Sequence, residues 1–464
     1  MAIDTRDLAG DTRDWVATTS ATVRGWLDHP RASQALLATS VGLLLFVGSM
    51  MVLSASSVLS YVRYDGNSYA IFLRQLGFLV VGLVAAVVLS VVPPERFRRA
   101  SVVLYGVALV GLLATYTPLG YEVNGNRNWL HVGPLNGQPS EFAKLAIMWW
   151  GAHILARYDR ELDQLRRVLW PYLVANGLLV GLTVLQGDLG SAVIMAAIIA
   201  VVLWVAGVPL RFFAFFGIAA GGVVGALIAT TPYRIMRMLA FLRPQDTITD
   251  ANYQTMMGTY ALASGGWWGL NLGASRQKWG GLPEAHTDYI MAILGEELGL
   301  FGTLAVVALF ALLGWAGVRI MRRSVRPYQR YLAAGATGWI IFQAFINIAV
   351  VLRLWPVMGV PLPFISYGGS SVVATLMAVG LLMSCARAEP GAIAERERRA
   401  RAQAHQQSIG RVSAVVDGRV GAVEHVGQAP ERSRSGTADR SGNRKRRGAS
   451  GATARGEKGT GTSR

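Results

Sequence analysis

The chain has 464 residues, of which 52% are hydrophobic and 15% charged, and its mean hydropathy is +0.38. This composition excludes an ordinary soluble enzyme and indicates a polytopic membrane protein. A single cysteine, Cys385, excludes a disulfide framework and a cysteine-based metal cluster. The sequence contains no HExxH, no GxxxxGK[ST] and no GxGxxG that opens a helix, so zinc proteolysis and nucleotide hydrolysis have no support.

Two polar tails flank the apolar part of the chain. Residues 1–33 are of mixed charge and lack the layout of a cleaved signal peptide. Residues 387–464 are rich in Gly, Ser, Ala and Arg and carry about half of the net charge of +17. We expect this basic tail to be disordered, because it cannot bury enough apolar surface to fold alone. The charge therefore does not indicate a nucleic-acid partner.

Ten apolar segments within residues 34–386 are long enough to cross a bilayer. They lie near residues 35–57, 73–92, 99–118, 140–157, 168–186, 189–207, 210–230, 289–320, 331–352 and 367–386. The predicted fold is an all-α polytopic membrane protein with about ten transmembrane helices. An even number of spans places both termini on the same side.

Arginine positions predict which side that is. With the N-terminus inside, the short inner loops hold many arginines: Arg96, Arg98, Arg99, Arg157, Arg160, Arg166, Arg167, Arg319, Arg322, Arg323, Arg326 and Arg330. The short outer loops hold few: Arg63, Arg74, Arg127 and Arg353. This positive-inside bias predicts cytoplasmic termini and a large extracytoplasmic loop over residues 231–288.

The first candidate site segment is NGNRNWLHVGPLNGQPSEFAKL, Asn124 to Leu145. Ser140 is the predicted N-cap of the fourth span. Glu141 and Lys144 are spaced i,i+3 on one helical face, which favours mutual neutralisation at the membrane edge. The alternative is that Lys144 and Arg127 bind an anionic headgroup.

Two later outer segments also carry polar residues. LQGDLGS, Leu185 to Ser191, predicts a tight turn with Asp188 between glycines. Trp267 and Trp268, in the Gly-rich part of the large loop, are suited to anchor it at the membrane–water interface. The candidate cations of this loop are Arg234, Arg237, Arg243 and Lys278.

The segment LPEAHTDYIMAILGEELG, Leu282 to Gly299, contains Glu284 and, near the start of the eighth span, three further acids: Asp288, Glu296 and Glu297. Thr287 is the predicted N-cap, and Asp288 is a first-turn residue that either stabilises the helix start or acts in function. Glu296 and Glu297 project away from Asp288 at about 100° per residue. We expect them to pair with buried cations or cap neighbouring helices; a proton relay is the competing interpretation.

The last segment is PLPFISYGGSS, Pro361 to Ser371. Its small residues, Gly368, Gly369, Ser370 and Ser371, would let a backbone or a phosphate approach closely. All of these polar segments face one outer mouth in the predicted topology. That arrangement suits an anionic lipid-linked substrate, but composition does not separate an enzyme from a lipid transporter.

The motifs NGNRNW…QPSEFAKL, DLGSA, LPEAHTDYI…GEELGLFG, QAFINI and PLPFISYGGSS resemble, in order and spacing, the SEDS family (shape, elongation, division and sporulation proteins). The resemblance covers about residues 35–386 and is strongest to the cell-division branch in an actinobacterial-like form. It implies a ten-helix peptidoglycan glycosyltransferase that polymerises lipid II. The GlcNAc 4-hydroxyl of an acceptor attacks C1 of a donor MurNAc, with inversion, and undecaprenyl pyrophosphate leaves.

The resemblance also implies roles for residues. Asp288 is the general base, or the ligand of a divalent cation, magnesium or manganese, that shares the work. The expected substrate-binding residues are Arg127, Lys144, Arg234, Arg243, Lys278, His286 and Ser370. The expected supporting residues are Glu141, Asp188, Glu284, Glu296, Glu297, Gly368 and Gly369.

The implied partners are a class B penicillin-binding protein, which crosslinks the glycan, and other membrane proteins of the divisome. The implied location is the bacterial plasma membrane at the division septum, with the active site on the extracytoplasmic side. Two alternatives stay open at this point: a lipid II flippase, and a divisome scaffold whose tails recruit partners.

Overall fold

Helices account for most of the described chain and follow the apolar segments of the sequence. The computed structural model describes residues 29–123, 126–132, 135–159, 165–229 and 250–426, with the single residues 25, 235, 238 and 241. Each of the ten predicted apolar segments overlaps a helix. Within the described residues, five helices are both long and apolar enough to cross a membrane: Ala32–Arg63, Ala70–Val91, Ile290–Arg323, Pro327–Val351 and Gly369–Arg387.

The helices in chain order are α1 (Ala32–Arg63), α2 (Ala70–Val91), α3 (Pro94–Phe97), α4 (Ala100–Ala114), α5 (Pro139–Arg157), α6 (Leu165–Leu185), α7 (Leu189–Val205), α8 (Leu210–Ala229), α9 (Asp250–Gly265), α10 (Ile290–Arg323), α11 (Pro327–Val351), α12 (Gly369–Arg387) and α13 (Pro390–Val426). A short 3-10 turn covers Gln277–Trp279. Helix α12 packs along α2, and α10 packs against α1 and α11.

Small residues let these helices approach closely. A Cβ on Gly380 of α12 would lie 2.6 Å from the carbonyl oxygen of Ala86 in α2, so only glycine fits there. Without a hydrophobic driving force between helices in lipid, such close backbone packing is a main source of helix association. The α2–α12 contact brings the residues after Ser366 next to α2, where they form one wall of the candidate site.

A small antiparallel sheet, which was not predicted from the sequence, lies between α4 and α5. Its strands are β1 (Gly120–Val123), β2 (Asn126–Val132) and β3 (Leu135–Gly137), in the order β1-β2-β3. Tyr121 pairs with Trp129 across the first two strands, and their ring centroids are 6.4 Å apart. Aromatic cross-strand pairs stabilise such sheets. The strands are too short for a clear period-two pattern in the sequence.

Two predicted N-caps, Ser140 and Thr287, are each two residues from the observed ones. Helix α5 begins at Pro139 with Gln138 as the N-cap, because proline is favoured in the first helical turn. Ser140 therefore lies inside that turn. Helix α10 begins at Ile290 with Tyr289 as the N-cap, so Asp288 precedes the helix.

Helix α10 is interrupted at Gly299, which has φ 68° and ψ −165°. A Cβ there would lie 2.4 Å from the backbone nitrogen of Gly269, so glycine is required both by the dihedral angles and by the contact. Backbone groups freed by a break at membrane depth need partners. The loop that follows α9 supplies them.

The chain divides into two compact units, residues 1–399 and 400–464. The tail that was expected to be disordered contains the helix α13 over Pro390–Val426. Its alanines, arginines, glutamates and glutamines are good helix formers, and Arg399 pairs with Glu395 one turn away at 2.7 Å. Residues 427–464 lie outside the described part of the chain.

Candidate active site

A large cavity opens among α2, α4, the sheet and the loops before α10 and α12. Its volume is about 1840 Å³. Among the described residues, its polar lining includes Arg74, Asn128, Gln138, Asp188, Gln254, Glu284, Thr287, Asp288, Tyr367, Ser370 and Ser371. Four of the sequence segments that were expected to meet on the outer side therefore contribute residues to the lining of this cavity.

Asp288 lies on the wall of this cavity, in a turn-rich segment that ends at α10. The segment reverses at Glu284, which has the left-handed φ of 53°. The hydroxyl of Thr287 donates to the Glu284 carboxylate at 2.6 Å and closes the turn. This local turn explains why Thr287 does not cap the helix.

Three consecutive carbonyl groups fix the backbone on which Asp288 stands. The backbone N–H of Tyr367 donates to the carbonyl of His286 at 2.9 Å. The hydroxyl of Ser366 donates to the carbonyl of Thr287 at 2.6 Å. The amide of Asn347 donates to the carbonyl of Asp288 at 2.8 Å. Because each bond comes from a different residue, the segment is held along its whole length.

The donors of these bonds are themselves fixed. Ser366 accepts a hydrogen bond from the backbone of Leu362 at 2.8 Å. The Asn347 amide also donates to the carbonyl of Val360 at 2.8 Å. The sequence interpretation did not include Ser366 or Asn347 among the site residues. Their positions in the quoted motifs PLPFISYGGSS and QAFINI were the only available signal.

The Asp288 carboxylate faces Gly359, where a Cβ would lie 3.6 Å from its Oδ2 atom. Gly359 has a φ of 68°, so the chain turns there without a side chain beside the acid. Burial lowers the pKa of His286, with Arg63 acting in the same direction and Glu284 in the opposite one. The ring centroid of His286 is 5.5 Å from that of Tyr367.

Asp188 also borders the cavity, but its carboxylate is occupied by protein donors. It caps α7 by accepting from the backbone of Ser191 at 3.0 Å. Its other oxygen accepts from three side chains, those of Gln138 at 2.8 Å, Ser140 at 3.1 Å and Asn128 at 3.2 Å. Asp188 thus joins β2, α5 and α7 into one wall.

Lys144 and Glu141 form a buried pair at 2.7 Å. Lys144 also donates to Gln343 at 3.1 Å, and the amide of Gln343 donates to the carbonyl of Pro361 at 2.9 Å. Neither charged residue is among the described lining residues of the cavity. We therefore assign this pair to holding the Pro361 segment in place.

Glu296 and Glu297 are fully buried and bind the loop that precedes the site. Glu296 accepts from the hydroxyl of Ser275 at 2.5 Å and from the backbone of Arg276 at 3.0 Å. Glu297 accepts from Ser54 at 2.6 Å and pairs with Lys278 at 3.5 Å. Lys278, which was expected to bind substrate, is therefore occupied by a contact within the protein.

The arginines that were predicted to bind substrate do not supply the positive charge among the described lining residues of the cavity. Arg127 is exposed, and its guanidinium donates to the carbonyl of Thr117 at 2.9 Å. Arg234 and Arg243 lie outside the described residues. Of the described residues that line the cavity, Arg74 is the one arginine or lysine. The sequence interpretation used Arg74 only for topology, although an arginine inside an apolar helix is itself a signal of function.

The N-terminus of α12 completes the site. Gly368 and Gly369 border the cavity, with Ser370 and Ser371 in the first turn of the helix. The hydroxyl of Ser370 accepts from the backbone of Gln138 at 3.3 Å. Burial raises the pKa of Tyr367, and the neighbouring Arg74 opposes that effect. A helix N-terminus next to an arginine is suited to bind an anion.

The described residues contain no group of three or more His, Cys, Asp or Glu side chains arranged to hold a metal ion. Asp288 and Glu284 both line the cavity, but two carboxylates do not make a site built by protein ligands alone.

Comparison with known sequences identifies the family. Residues 34–390 match the family described as cell cycle protein, represented by FtsW, RodA and SpoVE. A probable peptidoglycan glycosyltransferase FtsW from Mycobacterium tuberculosis is 42% identical over 371 residues, covering 80% of this chain and 70% of the relative. Stage V sporulation protein E from Bacillus subtilis is 38% identical over 349 residues, covering 74% of this chain and 94% of the relative.

Solved structures show the same fold. A chain of a peptidoglycan synthase complex that coordinates polymerization and crosslinking is 28% identical, with a TM-score of 0.60, covering 79% of this chain and 99% of that one. The rod shape determining protein RodA of Thermus thermophilus is 26% identical, with a TM-score of 0.55 and the same coverage. The chain therefore belongs to the FtsW/RodA/SpoVE family of cell cycle proteins.

Proposed function

We propose that this protein is a peptidoglycan glycosyltransferase that polymerises lipid II into glycan strands during septal cell-wall synthesis. The observation that carries the proposal is the placement of Asp288, held by three consecutive backbone hydrogen bonds on the wall of a cavity of about 1840 Å³. Relatives at about 40% identity are named as probable enzymes of this class.

The proposed reaction joins two lipid-linked disaccharides. Asp288 accepts the proton of the acceptor GlcNAc 4-hydroxyl as the oxygen attacks C1 of the donor MurNAc. The bond from C1 to the pyrophosphate oxygen breaks on the opposite face, so the configuration at C1 inverts and undecaprenyl pyrophosphate leaves with the bonding electrons. The rigid backbone around Asp288 supports this role because a general base must be positioned accurately.

The leaving pyrophosphate needs positive charge where its own charge develops. Arg74 and the N-terminus of α12 lie on the same cavity as Asp288 and suit this role. Ser370, whose hydroxyl lies in the first turn of α12, stays a predicted substrate-binding residue. His286, Arg127, Arg234 and Arg243 stay predictions for substrate binding, whereas Lys144 and Lys278 are paired within the protein.

We further propose a membrane domain of ten spans over residues 34–386, with cytoplasmic termini and an extracytoplasmic loop over residues 231–288. The positive-inside bias supports this orientation. We propose that the cavity opens on the extracytoplasmic side of the plasma membrane and that the protein acts at the septum. A class B penicillin-binding protein and other divisome membrane proteins are the proposed partners, and the similar chain from a peptidoglycan synthase complex supports a crosslinking partner.

Transport of lipid II is the competing function. A flippase needs polar groups that bind the substrate along a path through the bilayer. Of the two buried acids that were candidates for a proton relay, Glu297 pairs with Lys278, and Glu296 accepts hydrogen bonds from Ser275 and Arg276. This pairing favours the enzyme.

The test uses the full chain with its crosslinking partner in liposomes that contain fluorescent lipid II. The proposal predicts moenomycin-resistant glycan chains on gels. Movement of lipid II between leaflets without any polymer would replace the enzyme by a transporter. Activity that disappears when residues 400–464 are deleted, but survives substitution at Asp288, would favour a scaffold.

A further inference from the structure

The loop that follows α9 docks onto the break in α10. The segment over residues 265–271 lies against Gly299, and the close approach of Gly269 leaves no room for a side chain there. Four backbone hydrogen bonds join the two segments: Leu270 N to Glu296 O, Asn271 N to Glu297 O, Leu300 N to Gly266 O and Phe301 N to Trp267 O. The loop is therefore part of the helix bundle rather than a free connection.

The surroundings of α10 change at the same break. Residues 290–297 are all buried, so protein surrounds the helix on every side before Gly299. Beyond it the exposed side chains of the next turns are apolar, beginning with Leu300, Phe301 and Leu304. An apolar exposed face on a helix of this length is the surface that a membrane-spanning helix presents to lipid.

Two tryptophans extend this apolar face onto the docked loop. Trp267 is 64% exposed and Trp268 is 81% exposed. Their ring centroids lie 6.0 Å and 4.7 Å from that of Phe301, respectively. Glu297 and Lys278 do not interrupt this face, because they form a buried pair at 3.5 Å. The two indoles are therefore continuous with the lipid-facing surface of α10.

The length of α10 sets the depth of these rings. Arg322 and Arg323 end the helix and mark one membrane interface. Gly299 lies about 36 Å from that end at about 1.5 Å per residue. The hydrocarbon core is about 30 Å thick and the bilayer with its headgroups about 40–45 Å. The break therefore reaches the opposite interface, the layer in which tryptophan is enriched.

We propose that Trp267 and Trp268 insert into the lipid leaflet opposite Arg323, so that residues 265–271 form a membrane-bound wedge. The occupant of this aromatic surface is phospholipid at the level of the headgroups and upper acyl chains. The wedge fixes the loop that leads through Lys278 to the candidate site. Insertion of the wedge requires that α10 spans the membrane, and it does not depend on the proposed catalytic activity.

The test is site-directed spin labelling of the full chain in phospholipid nanodiscs. Cys385 is buried and is the chain's only cysteine, so Trp268→Cys can be labelled selectively with a nitroxide. Collisions with oxygen, which partitions into lipid, are compared with collisions with a water-soluble nickel chelate. Val84→Cys, in the exposed middle of α2, is the lipid control, and Glu122→Cys, on the exposed strand β1, is the water control.

The wedge predicts an oxygen-to-nickel collision ratio at residue 268 several-fold above that at Glu122 and approaching that at Val84. A ratio equal to that at Glu122 would overturn the proposal. Low collision rates with both reagents would overturn it as well, because the site would then be covered by protein.

A second measurement does not depend on the cysteine variant. In the Trp267→Phe/Trp268→Phe double variant the apolar surface is kept, but two indoles are removed. Lipids brominated near the headgroup should quench the emission of Trp267 and Trp268 most strongly. These lipids should therefore quench a larger fraction of the emission in the parent than in the double variant. Equal quenching of parent and variant would contradict insertion.

Discussion

The hydroxyl oxygen of Ser366 lies 2.6 Å from the carbonyl oxygen of Thr287, the residue immediately before Asp288. This bond links the loop before α12 to the segment that carries the proposed base. The neighbouring bonds, from Tyr367 to His286 and from Asn347 to Asp288, extend the same link over three residues. The position of the carboxylate thus depends on residues about 60 to 80 positions later in the sequence.

Ser366→Ala should lower kcat about 10- to 100-fold with little change in KM, because a small displacement of a catalytic group is costly. Ser366→Thr keeps the hydroxyl and should recover most of the rate. The measurement is initial-rate polymerisation of fluorescent lipid II at several substrate concentrations. Ser49→Ala removes a hydroxyl that donates to the carbonyl of Leu45 in its own helix, and it is the matched control. An unchanged kcat in Ser366→Ala would show that the bond does not position Asp288.

Arg74→Gln should lower turnover about 100-fold, because it removes a cation from the site of the developing pyrophosphate charge. Arg74→Lys should retain part of the activity, since it keeps the charge but not the planar guanidinium. Polymerisation rates of the two variants, matched for folded yield, provide the comparison. Equal losses in Gln and Lys variants would assign Arg74 to packing against Tyr64, whose ring lies 5.8 Å from the guanidinium carbon.

The buried pair of Lys278 and Glu297 should stabilise the loop before the site. Lys278→Met leaves a buried carboxylate without its cation, and such a loss typically costs about 3–5 kcal/mol. The double variant Lys278→Met/Glu297→Gln should lose less unfolding free energy than the sum of the losses in the two single variants, because the residues are coupled. Thermal unfolding in detergent measures both effects. Strict additivity of the two losses would argue against a direct pair.

Gly299→Ala should destabilise the protein by more than about 2 kcal/mol, because the left-handed dihedral angles and the contact with Gly269 both exclude a side chain. Gly106→Ala is the control, since a Cβ there meets nothing within 4 Å. Thermal unfolding of the two variants should differ clearly. Similar melting temperatures would mean that the break in α10 relaxes without cost.

Hydropathy predicts the helices well because each span is a local property of about 20 residues. It does not predict the sheet, whose strands of three to seven residues carry too little periodicity. Helix starts were misplaced where a neighbouring turn competes for the capping side chain, as Glu284 does for Thr287. The start of the basic tail was assigned from composition, which does not exclude a helix rich in alanine and arginine.

The site was predictable only in part, because some of its features are local in the sequence and others depend on contacts between distant segments. The motif of Asp288 and the small residues before α12 are local, and they line the same cavity. The pairing of Lys278 with Glu297, and the capture of Asp188 by Asn128 and Gln138, depend on distant segments that meet only in the fold. The sequence does not distinguish an outer-loop lysine that is available to bind substrate from one that is already paired with a carboxylate.

The most direct measurement is polymerisation of fluorescent lipid II by Asp288→Asn beside the parent, each with its crosslinking partner and with moenomycin present. Glu122→Gln, an acid-to-amide change on the exposed face of β1, is the matched control. We expect Asp288→Asn to form no glycan chains while Glu122→Gln polymerises like the parent. Polymer formation by folded Asp288→Asn at the parent's rate would contradict the assignment of Asp288 as the base.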